Sequence, residues 1–181
     1  MRVKLHYFGR ALPEPKPDMA ERALAMIDAS CTNATCKALG RERIEKWLQG
    51  DIKGVRRVDS AELVALLKSQ APPKLIDVMA TAPAMLPLAL HFMSGGLAFA
   101  DEKIDAAFDQ RFRDMLNLAV PDKATPVVFY CMGSQSWHSA NAAMRALRAG
   151  YTKVLWYRGG IQAWQAAGLP TTWKVAVAVI H

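Results

Sequence analysis

The run Val127-Val128-Phe129-Tyr130 leads straight into Cys131, and this junction constrains the fold of the chain more than any other feature. Four consecutive apolar or aromatic residues have the length and composition of a strand buried on both faces, the kind that builds parallel sheets. The loop Met132-Gly133-Ser134-Gln135-Ser136-Trp137-His138 comes next, made of small, polar and aromatic residues. Beyond it, Ala140, Ala143, Met144 and Leu147 recur at helical spacing as one apolar stripe, predicting a helix with Arg145 and Arg148 on its other face. Gly150 suits the position just past the end of that helix. Val154-Leu155-Trp156-Tyr157 reads as a second strand, Gly159-Gly160 as a turn, and Ile161 to Ala167 as a short helix stopped by Gly168 and Pro170. Strand, loop, helix and strand together predict a right-handed crossover unit of a parallel sheet.

This order sets a thiol at the carboxyl end of a strand and before the first turn of a helix. Unpaired backbone N–H groups and the positive end of the helix dipole gather there and favour an anion. A thiolate or a persulfide is such an anion, so Cys131 is expected to be a nucleophile with a depressed thiol pKa.

The run from Cys131 through Ala142-Ala143, Leu147, Gly150-Tyr151, Val154, Gly159-Gly160-Ile161, Ala163-Trp164 and Ala167-Gly168-Leu169-Pro170 resembles the C-terminal half of a rhodanese-like domain. Asp59-Ser60-Ala61-Glu62-Leu63 resembles that family's opening helix, and Leu75-Ile76-Asp77-Val78 its strand ending in Asp-Val. Leu86-Pro87-Leu88-Ala89-Leu90-His91-Phe92 resembles the family's next segment. The likeness covers residues 55 to 173. It implies an α/β, three-layer fold with a central parallel sheet, here a domain over residues 55–181 preceded by a mostly helical N-terminal extension over residues 1–54. It also implies a sulfurtransferase in which Cys131 takes up a sulfane sulfur as a persulfide and passes it to a thiol acceptor, with no metal and no organic cofactor. Residues 132–138 would form the persulfide-binding loop, the N–H groups of Met132 through Trp137 holding the terminal sulfur. Gly133, Ser134 and Ser136 would let the backbone curl around it.

The chain departs from that pattern in two ways. The loop is about two residues longer than the six common in the family, and no Arg or Lys lies between Cys131 and Arg145. The family's Asp-Val-Arg is here Asp77-Val78-Met79. Little side-chain charge is left to hold an anionic donor such as thiosulfate. Phosphatases and arsenate reductases of the same fold also use a longer loop, but they close it with an Arg whose fork matches the equatorial oxygens of the oxyanion. Its absence argues against them.

The pattern Cys131…Trp137-x-Ser139-x-Asn141-Ala142-Ala143 further resembles a branch of the family associated with quinoprotein-dependent catabolism. That branch has a second Cys just before the Trp, where this chain has Ser136. Trp137 reads either as a rim aromatic packed over the loop or as a wall that keeps water from the sulfur. His138 stands where it could orient or assist the thiol, and a positive helix end would keep its imidazole neutral. His91, in an apolar stretch, reads as a hydrogen-bonded, semi-buried residue and not as a base. Asp77 reads as structural, accepting loop N–H groups near the site.

Composition supplies the remaining bounds. At 181 residues, 52% of them hydrophobic, the chain is long enough for a real core and argues against disorder. No apolar run reaches the ~18 residues of a membrane span. The net charge is +7, with seven basic residues between Lys37 and Arg57 (Lys37, Arg41, Arg43, Lys46, Lys53, Arg56, Arg57). These form either a solvated helix face or a docking surface for an acidic protein partner. Without aromatic interleaving or a nucleic-acid motif, nucleic acid binding is not expected.

In the N-terminal third, residues 11–18 read as a proline-stiffened segment, followed by helices from Asp18 to about Ala29 and from about Gly40 to Leu48. Cys31 and Cys36 are close enough to form a disulfide, or stand as two reduced thiols; two Cys alone leave a metal short of ligands. The run Val175 to Ile180 has strand length. Met1-Arg2-Val3-Lys4 carries the charge of a signal sequence but no apolar core comes after it. The cysteine pair and the quinoprotein likeness favour the periplasm, with the cytoplasm as the alternative. A competing reading keeps the fold and gives up turnover: a sulfur-carrier or binding module docking to a redox partner.

Overall fold

The computed structural model describes residues 34, 50–99 and 101–173. The cysteine pair Cys31/Cys36, the N-terminal helices and the strand expected at Val175 to Ile180 lie outside the described residues. In chain order the elements are β1 (Val55–Arg57), α1 (Ser60–Leu67), β2 (Lys74–Asp77), β3 (Ala84–Met85), β4 (Leu90–His91), α2 (Glu102–Ala119), β5 (Val127–Tyr130), α3 (His138–Arg148), β6 (Val154–Tyr157), α4 (Gly160–Ala166) and β7 (Thr172–Trp173).

Five strands form one sheet in the order β1-β6-β5-β2-β4, with every pairing parallel. All four residues of β5 and all four of β6 are buried, as expected for strands covered on both faces. From β5 the chain crosses through α3 to β6 on one side, whereas β2 leads to β4 on the other. The carboxyl end of β5 therefore lies at the point where the direction of winding reverses, where open α/β sheets form their crevice. The short antiparallel pair β3–β7, with Ala84 opposite Trp173, ties the segment after β2 to the segment after α4.

Local signals explain the element ends. Asp59 caps α1 in a capping box, its side chain accepting from the Glu62 N–H at 2.9 Å while Glu62 accepts from the Asp59 N–H at 3.1 Å. Helix α3 closes in a Schellman motif: Gly150, at φ +91°, donates to the Leu147 carbonyl and Tyr151 to that of Ala146. Gly168 and Leu169 close α4 in the same way on Gln165 and Trp164, so this helix runs from Gly160 to Ala166, one residue earlier than the sequence suggests.

The face of α3 opposite its apolar stripe is also covered: every residue from Ser139 to Ala146 is buried, Arg145 included at 3% exposure. The reason is α2, an 18-residue helix that covers the outer side of α3. Arg145 donates to the Leu97 carbonyl at 2.6 Å and to Asp105 at 3.0 Å, pairs with Asp109, and stacks its guanidinium on Phe108. A buried guanidinium is tolerable only with such partners, and α2 supplies two carboxylates one helical turn apart. Arg148 stays at the surface and reaches Asp109 at 3.4 Å.

Candidate active site

Cys131 comes directly after the last residue of β5, and its side chain is buried. The hydroxyl of Ser136 donates to its Sγ at 2.9 Å. The loop between them turns tightly, the Ser136 N–H donating to the Gly133 carbonyl at 3.0 Å. That N–H is thereby committed to the turn, which corrects the expectation that each amide from Met132 to Trp137 would face the sulfur. Met132 points outward, Ser134 is buried, and Gln135, Ser136, Trp137 and His138 are half-buried.

A second helix end supports the loop from below. The N–H of Ile161 donates to the Cys131 carbonyl at 3.0 Å, and that of Gln162 to the Met132 carbonyl at 2.9 Å. Two first-turn amides of α4 thus find their acceptors in the loop and fix its path. Gly160 makes the contact possible. It sits at φ +58°, and a Cβ there would meet the Cys131 carbonyl oxygen at 2.2 Å. Gly133 is likewise pressed against Gln162, whose Oε1 would be 2.2 Å from an added Cβ. The Gly159-Gly160 pair, which in the sequence reads only as a turn, is therefore part of the site.

Helix α3 starts at Trp137 with no side-chain cap, so its first-turn amides are not claimed by a capping residue. The stretch after β4 passes against that turn closely enough that a Cβ on Gly96 would overlap the His138 backbone. Asn141 fixes the approach by donating from Nδ2 to the Gly96 carbonyl at 3.1 Å. Ser139 accepts from the Trp156 indole N–H at 2.9 Å. Trp137 stacks with His138, ring centroids 6.1 Å apart. Burial holds the His138 pKa below its ordinary value, which keeps the imidazole neutral near pH 7. Ser136, whose hydroxyl reaches Sγ, carries no signal in the sequence beyond its small size.

Beneath the loop lies a buried acid. Asp77, fully buried at the end of β2, accepts from the Met79 N–H at 2.8 Å and from the Tyr130 hydroxyl at 3.1 Å. The Tyr130 hydroxyl in turn accepts from the Leu86 N–H at 3.0 Å. Burial first, and then the neighbouring Asp77 carboxylate, push the Tyr130 pKa far above its ordinary value, so it stays a neutral donor. Met79 is itself buried. His91 bonds through Nε2 to the Met79 carbonyl at 2.8 Å, a structural part. Among the described residues, no group of three His, Cys, Asp or Glu is arranged to hold a metal ion.

A family model for the rhodanese-like domain matches residues 59–167, from the α1 cap to the end of α4. The chain belongs to the rhodanese-like domain family. Solved structures of EanB share this fold. Wild-type EanB aligns at a TM-score of 0.52 and 20% identity over 66% of this chain and 32% of that one. A complex of an EanB variant with ergothioneine covalently linked with a persulfide cysteine aligns at 0.53 and 18% identity, over 67% of this chain and 32% of that one. The polysulfide-sulfur transferase homodimer of Wolinella succinogenes aligns at 0.47 and 20% identity, over 71% of this chain and 86% of that one. The chain thus spans about a third of the length of EanB, and the likeness is one of fold. No curated protein sequence matches the chain.

Proposed function

We propose that this rhodanese-like domain is a sulfurtransferase that carries sulfane sulfur as a persulfide on Cys131. The observation that carries the reading is the hydrogen bond from Ser136 to Cys131 Sγ at the head of an uncapped helix. A hydroxyl donor and uncapped amides stabilise a thiolate or persulfide in a loop that carries no Arg or Lys. The Cys131 thiolate attacks the outer sulfur of a donor R–S–SH. The donor's S–S bond breaks, R–S⁻ leaves with the electron pair, and Cys131–S–SH remains. An acceptor thiolate then attacks that outer sulfur, and Cys131 leaves as thiolate. The persulfide cysteine named in the EanB complex of the same fold supports the reading. Residues 132–138 form the binding loop, with Ser136 as donor and with Trp137 and His138 as one wall. The Trp137-x-Ser139-x-Asn141 pattern supports membership of the quinoprotein-associated branch and, with it, a periplasmic setting.

The test is intact mass spectrometry of the chain after exposure to thiosulfate and, separately, to polysulfide. A gain of one sulfur on the wild type but not on Cys131→Ser is the expected result. No adduct from either donor on a free thiol would refute transfer and leave the binding-module reading in its place.

A further inference from the structure

The segment between β4 and α2 makes two successive tight turns. The Gly95 N–H donates to the Phe92 carbonyl at 2.8 Å, and the Leu97 N–H to the Ser94 carbonyl at 3.0 Å. Ser94 adopts φ +58° within them, a left-handed conformation disfavoured for any residue with a Cβ. The strap 94–99 is gripped from both helices. On α3, Asn141 and Arg145 stand one turn apart and donate to consecutive carbonyls, Gly96 at 3.1 Å and Leu97 at 2.6 Å. On α2, Asp105 accepts from the Phe99 N–H at 3.0 Å and from Arg145. The strap also lies against both flanks of Cys131. Val78 follows β2 as Cys131 follows β5, one step beyond the paired residues Asp77 and Tyr130. A Cβ on Gly95 would stand 3.2 Å from Val78 Cγ1, and one on Gly96 would overlap the backbone of His138, where α3 begins. The strap therefore spans the crevice between β2 and β5, where Cys131 is 4% exposed.

We propose that Asn141 is a positioning residue for the chemistry of Cys131, holding this strap down as the wall that limits the bulk of what reaches the thiol. The inference takes Cys131 as the reacting group, as the proposed function does, and adds a selectivity by size. Arg145 grips the strap too, but its guanidinium is also tied to Asp105 and Asp109 of α2, so its loss would loosen the helix pair. Asn141 has no such second duty. Its side chain is buried and makes one hydrogen bond among the described residues, the one to Gly96. Its Oδ1 is buried without a donor. An unpaired buried acceptor opposes folding, and an apolar side chain of the same size would avoid that cost. What the amide supplies in return is the Nδ2 bond that pins the strap over the start of α3. A buried thiol reacts from the openings that admit the reagent, so this grip sets how often a bulky one enters.

The experiment compares alkylation of the full chain by iodoacetamide and by the bulkier N-phenylmaleimide, read on the Cys131 peptide by mass spectrometry. The ratio of the two rates cancels any change in thiolate fraction, which acts on both reagents. Asn141→Leu keeps the volume and removes the donor. It should raise the maleimide-to-iodoacetamide ratio about fivefold, the shift in population that one hydrogen bond gives. Gly96→Ala lifts the strap from the other side of the same contact and should raise the ratio at least as far. Gly168→Ala strains the backbone away from the strap; as the control it should keep the wild-type ratio. An unchanged ratio in Asn141→Leu, or an equal rise in Gly168→Ala, would overturn the proposal. Where Asn141→Leu does not fold, an unchanged ratio in Gly96→Ala overturns it instead. Sulfur loading is measured apart: a Cys131 that takes up no sulfur refutes the proposed function, while the ratio still decides the strap.

Discussion

Replacing Gly160 by Ala tests the link between the fold and the reactive loop. The new Cβ would stand 2.2 Å from the Cys131 carbonyl oxygen and 2.8 Å from both the Gly133 nitrogen and the Met132 carbonyl carbon. All three are backbone atoms, so no side-chain rotation relieves the contact. The helix end and the loop must separate by about 1 Å to reach ordinary contact distances. That separation breaks the two bonds from Ile161 and Gln162, each contributing about 1 kcal/mol. Holding Ala at φ +58° adds about 1 kcal/mol. The sum is about 3 kcal/mol, or about 12 °C in Tm for a domain of this size. Gly168→Ala is the matched control. Its φ is +69°, but nothing lies within 4 Å of the added Cβ, so only the backbone cost of about 1 kcal/mol applies. Thermal unfolding by circular dichroism gives the stabilities, and the rate of Cys131 alkylation by iodoacetamide reports the loop. Gly160→Ala should be the less stable by about 2 kcal/mol and should alter Cys131 reactivity; Gly168→Ala should not. Equal Tm losses with unchanged alkylation in both would refute the claim that α4 holds the loop.

Ser136→Ala removes the donor to Sγ and should slow alkylation at neutral pH by up to about tenfold, with Tm nearly unchanged; an unaltered rate would mean that the hydroxyl does not stabilise the thiolate. Arg145→Met strands Asp105 and Asp109 against α3 and should cost about 3 kcal/mol in urea denaturation, the low end for a buried pair because both acids keep some exposure. Adding Asp105→Asn and Asp109→Asn should restore much of the loss. His138 has a folded pKa below its ordinary 6.5, so the unfolded chain binds more protons between the two values. Its contribution to stability is complete above about pH 6.5 and is lost as pH falls toward the folded value. His138→Gln should therefore flatten the stability profile below pH 6.5, and a profile identical to wild type would contradict its burial as a neutral ring.

The sequence by itself determined the strands that carry Cys131, the helix after the loop and the glycines that end it. These depend on local patterns: four apolar residues buried on both faces, a 3.6-residue stripe, and a glycine at positive φ. It also showed a loop without Arg or Lys, because a missing cation is visible in any linear reading. Helix α2 could have been read from Asp101 as cap and from Phe108, Phe112 and Leu116 four residues apart. Its consequence could not. Arg145 looks like a solvated residue on the outer face of α3 until α2 arrives from earlier in the chain with two carboxylates. The tertiary structure alone also turned Gly160 from a turn residue into the seat of the loop. It likewise gave Ser136 a bond to the sulfur five residues away. Each of these joins groups by distance in space, and a one-dimensional pattern carries no information about which carbonyl, thiol or carboxylate will stand within 3 Å.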